Sequence, residues 1–148
     1  MKKALFVLHQ KNSEAGSIGK KLKARGFIFE TVRPSLGDDL PKDLNKYNAI
    51  IVFGGPMSVN DNDEYIRKEI NWIGDVLKTD IPFLGICLGA QLVAKHLGCK
   101  VKKNKDNISE IGFYKIYPTT NGLKMFESNN IFYQFHTEGF EIPDKCHL

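Results

Sequence analysis

At 148 residues the chain holds one domain's worth of sequence, and 42% hydrophobic with 26% charged residues is a globular mix that excludes wholesale disorder. The net charge of +4 comes mostly from scattered Lys rather than from the clustered, Arg-rich patch of a nucleic-acid reader, and no apolar run approaches the ~20 residues of a membrane span. Three cysteines without a Cys-x-x-Cys pair (Cys87, Cys99, Cys146) suit a reducing, cytoplasmic setting, and no spaced set of His, Cys and acids offers a metal site.

In chain order, residues 4–8 form a short apolar run read as a buried strand. Met1-Lys2-Lys3 ahead of it resembles the start of a signal peptide, but the apolar stretch breaks at His9-Gln10-Lys11 and no small-residue cleavage site follows. Ser13-Glu14 opens a helix with Ile18 and Leu22 on one face, closed by Gly26. Phe27–Val32 is β-rich, and residues 34–41 are turn-like. Residues 49–53 (Ala-Ile-Ile-Val-Phe) run apolar without alternation, as a parallel strand buried on both faces does, and stop at Gly54-Gly55-Pro56. Asp61-Asn62-Asp63-Glu64 starts a helix with capping side chains and acids, and Ile66, Ile70, Ile73 and Leu77 share one face of it. Residues 83–87 read as the next strand, 88–97 as a helix closed by Gly98, and 112–117 and 131–135 as further strands, with turns at 118–122 and 128–130. The densest basic group, Lys100, Lys102, Lys103 and Lys105, reads as a solvated loop. Strands alternating with helices predict an α/β fold, a mostly parallel sheet covered on both faces, with ligands bound beyond the carboxyl ends of its strands.

Two motifs stand at such ends. Gly85-Ile86-Cys87-Leu88-Gly89 joins a strand to a helix in the pattern of a nucleophile elbow, with Cys in the central place. The turn strains the backbone of the nucleophile and excludes bulky side chains two residues away on either side. The helix then aims its amides and the positive end of its dipole at the sulfur, whose attacking form is the thiolate, and the Leu88 amide is placed to hold an oxyanion. Gly54-Gly55-Pro56 offers either a second oxyanion donor, at Gly55, or a plain turn. Cys99 and Cys146 have no such setting.

Together these strings resemble a known family. Phe53-Gly54-Gly55-Pro56-Met57-Ser58, the run from Pro82 through Gly85-Ile86-Cys87-Leu88-Gly89-Ala90-Gln91 to Leu92, and Glu110-Ile111-Gly112-Phe113-Tyr114 are similar to the class I (triad-type) glutamine amidotransferases, most of all their stand-alone, GMP-synthase-like members. The resemblance runs along essentially the whole chain. It implies a flavodoxin-like fold over residues 1–148 and a glutaminase half-reaction without a cofactor or metal. Cys87 would attack the glutamine side-chain amide, Leu88 and Gly55 would hold the oxyanion, Gln91 would help to bind substrate, and water would hydrolyse the γ-glutamyl thioester after ammonia leaves. A synthetase partner would take the ammonia. No nucleic acid or membrane is implied.

The family also uses a His-x-Glu pair, because the leaving amine needs a proton. Gln134-Phe135-His136-Thr137-Glu138 resembles that string locally, with Thr137 where the family has Pro. Yet His136 lies only 49 residues beyond Cys87. Residues 135–143 match instead an earlier family segment of the form Trp-His-Gly-Asp-x-Phe-x-Leu-Pro. His136 is therefore read as a non-triad His, and the expectation is that the catalytic His and Glu, with a final strand and helix, lie beyond Leu148. His9, ending the first strand, is expected near the site rim; His96 is too far along its helix to serve; His147 stands at the terminus. A γ-glutamyl peptidase and a non-catalytic glutamine-binding remnant are the alternative functions. The DJ-1/PfpI-like branch of the fold is disfavoured, because it carries His directly after its Cys, where this chain has Leu88.

Overall fold

The computed structural model describes residues 1–104, 108–124, 126, 130–144 and 146. Four parallel strands form the main sheet: β1 (Lys2–Val7), β2 (Phe27–Val32), β3 (Ala49–Val52) and β4 (Phe83–Gly85), in the order β2-β1-β3-β4. Successive side chains of a strand point to opposite faces, and β1 shows both destinations. Leu5 and Val7 enter a core shared with helices α2 (Glu64–Val76) and α3 (Leu88–His96), through Ile66, Ile73, Leu88 and Leu92. Ala4 and Phe6 enter a second core with Ile51, beneath Ile18 and Leu22 of helix α1 (Gly16–Ala24). Helices thus cover both faces, as the alternation predicted, and the arrangement is the flavodoxin-like one that the resemblance implied.

After α3 the pattern changes. β5 (Val101–Lys103) pairs antiparallel with β8 (Glu138–Phe140), and β6 (Glu110–Lys115) pairs antiparallel with β7 (Ile131–His136), as two small separate sheets. The β6–β7 pair carries Ile111, Phe113, Tyr133 and Phe135 exposed. The predicted turn at 118–122 leads into a short 3-10 segment, Gly122–Lys124. Lys105, His147 and Leu148, and residues 128–129 of the turn expected at 128–130, lie outside the described residues.

Several elements differ from the sequence expectation: β1 spans Lys2–Val7 rather than 4–8, β4 ends at Gly85 rather than at 87, and β6 spans Glu110–Lys115 rather than 112–117. α1 begins at Gly16 rather than at Ser13, because the Arg33 guanidinium takes the carbonyls of Gln10 and Ser13 (3.3 and 3.2 Å) and holds that loop out of the helix. The acids before α2 do not cap it through their side chains; Asp61 instead accepts the Ser58 amide at 2.8 Å, bracing the turn after Pro56. Leu77 stands past the end of α2 and is exposed, and Trp72 and Val76 fill the core in its place. Gly26 and Gly98 close α1 and α3 in left-handed geometry, as glycine after a helix does. No helix among the described residues is long and apolar enough to cross a membrane.

Candidate active site

β3 and β4 run side by side with Val52 opposite Gly85, so the two glycine motifs leave the sheet at the same end. The chain departs from β4 through Ile86, whose amide still donates to the Val52 carbonyl at 2.9 Å. It then turns at Cys87, with φ +52° and ψ −109°, the one non-glycine residue of positive φ among the described residues. Such a conformation costs a residue with a side chain about 1–3 kcal/mol and persists only where its surroundings impose it.

The flanking glycines impose it. A Cβ on Gly89 would fall 2.3 Å from the Val52 carbonyl oxygen, and one on Gly85 would fall 2.8 Å from the Gly89 carbonyl. The first turn of α3 therefore packs backbone to backbone on the strand ends, and only glycine permits that approach at either place. Cys87 is the N-cap of α3; its carbonyl accepts the Gln91 amide at 3.0 Å, and the Gly89 amide goes to Ile86 at 2.9 Å. The Leu88 amide meets no acceptor among the described residues, while the Leu88 side chain is fully buried in the core. The Cys87 thiol is free and exposed.

Gly54 and Gly55 press against this elbow. A Cβ on Gly54 would stand 3.2 Å from the Cβ of Cys87, and one on Gly55 would meet Met57, His9 and Leu88 at 2.7, 2.8 and 3.0 Å. A cleft of about 350 Å³ opens beside them, within the ~300–1,000 Å³ range of small-molecule sites, and Gly55, Cys87, Gln91, His136 and Glu138 all line it. The sequence-predicted residues thus meet at one place.

Their individual contacts are less uniform. Gln91 is buried, and its Nε2 donates to the Glu138 carbonyl at 3.0 Å, tying α3 to β8; its Oε1 has no partner among the described residues. His136 and Glu138 do not form a dyad. His136 Nε2 faces Glu110 Oε2 at 2.9 Å across the β6–β7 pair, where the two residues are in register, and Glu138 Oε2 accepts the Ser58 hydroxyl at 2.8 Å. Alternation along one continuous strand would set residues 136 and 138 on the same face, but the strand breaks at Thr137 and Glu138 belongs to the β5–β8 sheet instead. Glu110 and Ser58 carried no signal of these contacts, which depend on cross-strand register.

His9 does not stand at the rim. It is 2% exposed, packed behind the Gly54-Gly55 turn and facing Glu69 of α2. His96 receives no role at the site, its Nδ1 lying 2.9 Å from the Ile70 carbonyl with the ring against Gly74. Cys99 packs against the core and Cys146 is exposed, neither lining the cleft. No group of three or more His, Cys, Asp or Glu able to hold a metal occurs among the described residues.

Residues 10–146 match the family model described as glutamine amidotransferase class-I. Among curated proteins, the glutamine amidotransferase-like protein YfeJ of Salmonella typhimurium is 32% identical over 124 residues, 80% of this chain and 51% of that protein. A glutamine-hydrolyzing GMP synthase subunit from Sulfurisphaera tokodaii is 42% identical over 86 residues, 58% of this chain and 43% of that one. Among solved structures, a glutamine amidotransferase from Thermotoga maritima superposes with a TM-score of 0.83 at 29% identity, covering 97% of this chain and 64% of its own. One from Methylobacillus flagellatus gives 0.86 at 25% identity, covering 97% and 59%. The chain spans about half the length of YfeJ and less than two thirds of these solved chains.

Proposed function

Because the chain belongs to the class-I glutamine amidotransferase family, we propose that its cleft takes the side-chain carboxamide of glutamine and that Cys87 is the nucleophile. The observation that carries this reading is the strained backbone of Cys87, held by direct contact of Gly89 with Val52. A buried structural cysteine has no need of such a turn; a nucleophile exposed over a helix N-terminus does.

The proposed course is as follows. The Cys87 thiolate adds to the carboxamide carbon, and the carbonyl oxygen becomes an oxyanion. The Leu88 and Gly55 amides, with no acceptor of their own among the described residues, hold that oxygen, the kind of donor whose removal costs about 10²–10³ in rate. The C–N bond breaks, the nitrogen leaves as ammonia on receiving a proton, and water hydrolyses the γ-glutamyl thioester to glutamate and free thiol. Gln91, its Nε2 committed to β8, offers its Oε1 to the substrate. By analogy with the GMP synthase relative, the ammonia passes to a partner of the synthetase type.

A second reading concerns the proton. His136 lines the same cleft as Cys87 and is paired with Glu110, so the chain holds an acid–base group within the site even though His136 and Glu138 are not joined. If His136 delivers the proton, His136→Gln stops ammonia release while Cys87 still reacts with a glutamine-mimicking chloroketone, because that alkylation expels chloride and needs no proton for an amine.

The experiment that tests the main reading is mass-resolved labelling with that chloroketone. One adduct on Cys87, suppressed by excess glutamine, is expected. Labelling that ignores glutamine, or falls on Cys99 or Cys146, refutes it. A γ-glutamyl peptidase would be protected better by γ-glutamyl dipeptides than by glutamine.

A further inference from the structure

Behind the Gly54-Gly55 turn lies a pair of ionisable side chains for which the proposed reaction has no step. His9 is 2% exposed and Glu69 is 1% exposed, and His9 Nε2 lies 3.0 Å from Glu69 Oε2. His9 Nδ1 lies 3.3 Å from the Gly54 carbonyl oxygen. The backbone of His9 is anchored as well, its carbonyl accepting the Ser35 hydroxyl at 2.7 Å.

Hydrogen-bond counting fixes what the ring does. A carbonyl oxygen only accepts, so Nδ1 carries the hydrogen toward Gly54, and Nε2 and Glu69 share one further proton between them. Such a pair is a poor device for stability alone. Desolvation offsets much of the attraction, and Glu69 Oε1 is buried without a partner among the described residues, an added cost.

Its use follows from the covalent geometry of the turn. The Gly54 carbonyl and the Gly55 amide belong to one planar, trans peptide, so the N–H points opposite to the C=O. Drawing the carbonyl toward His9 turns the Gly55 amide away from His9, to the side where Gly55 and Cys87 line the cleft. Between two glycines the same peptide could otherwise rotate as a unit at little conformational cost. We propose that His9 and Glu69 are positioning residues that hold the Gly54–Gly55 peptide with its amide toward the oxyanion, Glu69 fixing the ring and the ring fixing the peptide. This rests on the reading of Cys87 as nucleophile and Gly55 as oxyanion donor.

The test compares the 148-residue chain with three variants: the double replacement His9→Leu with Glu69→Leu, which removes both partners and leaves no lone buried charge, and the single replacements Glu69→Leu and Glu69→Gln. Two reactions of Cys87 are followed: inactivation by the glutamine-mimicking chloroketone, resolved into kinact and KI, and alkylation by iodoacetamide, which uses no oxyanion site. In the double variant kinact falls about tenfold or more with KI within about twofold, outright loss of an oxyanion donor being worth about 10²–10³, and the iodoacetamide rate holds. Glu69→Leu shows the same split, and Glu69→Gln, which still donates to Nε2, restores kinact. The single pair decides the matter if the double variant does not fold. Equal kinact in Glu69→Leu and Glu69→Gln, or parallel losses in both reactions, overturns the inference. A wild-type chain that iodoacetamide alkylates but the chloroketone does not overturns the Cys87–Gly55 reading and this one with it; a labelled wild type with unaffected variants overturns this one alone.

Discussion

Gly89 rests on Val52 so closely that a Cβ on the one would fall 2.3 Å from the carbonyl oxygen of the other. The obstructing atom is backbone and belongs to a strand whose partners lock it on both sides, so neither element can yield cheaply. Gly89→Ala is expected to destabilise the chain by about 1–3 kcal/mol, as overpacking does, and to abolish glutamine-protected labelling of Cys87. Urea unfolding followed by circular dichroism measures the first, and the adduct mass the second.

Cys87→Gly should move the two properties in opposite directions. Glycine accepts φ +52° without the penalty that a side chain meets there. The variant is expected to melt higher, by an amount corresponding to about 1 kcal/mol, while losing the nucleophile. A Tm equal to or below that of the wild type would mean that the turn stores no strain.

The acid limb of stability is expected to reflect Glu30. The Lys3 ammonium beside it, with Lys46 adding, holds its carboxyl at about 2, below the ordinary 4.5. A depressed carboxyl contributes stability that is fully present above its unfolded value and is lost as pH falls from about 4.5 through about 2. The group is partly exposed and solvent screens it, so the contribution is about 1 kcal/mol or less. Glu30→Gln should flatten the pH dependence of Tm in that window and leave it unchanged near pH 7.

Phe113 stands 77% exposed, and its cross-strand neighbour Tyr133 and the nearby Phe135 are exposed on the same pair of strands. Contiguous exposed apolar side chains promote association. Phe113→Lys is expected to lower the scattering of concentrated solutions with no loss of Tm, which light scattering alongside thermal melting will show.

The parallel sheet and its helices were legible because their signals are local. The unbroken apolar run at residues 49–53, the glycines after α1 and α3 and the spacing of Ile66 and Ile73 each report on a neighbouring turn or face. The elbow was legible for the same reason, its requirements lying within five consecutive residues. What sequence could not supply were pairings across distant segments. The local string sets His136 beside Glu138, but strand register pairs it with Glu110; Ser58 finds Glu138 at a separation of eighty residues. His9 sits immediately after an apolar strand and reads, from its neighbours alone, as an exposed end. It is buried because Glu69, sixty residues later, and the Gly54 carbonyl supply partners that the local string does not show.

Among the described residues, β4 is hydrogen-bonded to β3 alone. Within that sheet, the strand that leads to Cys87 therefore has one described neighbour, β3. Disturbances in β3 reach the sulfur directly through Val52, which touches Gly89, pairs with Gly85 and accepts the Ile86 amide. Disturbances in β2, two strands away, must pass through β1 and β3 first. Substitutions that loosen β2 are expected to weaken the chain and leave the chemistry of Cys87 intact, whereas a shift of Val52 acts on the backbone on both sides of Cys87.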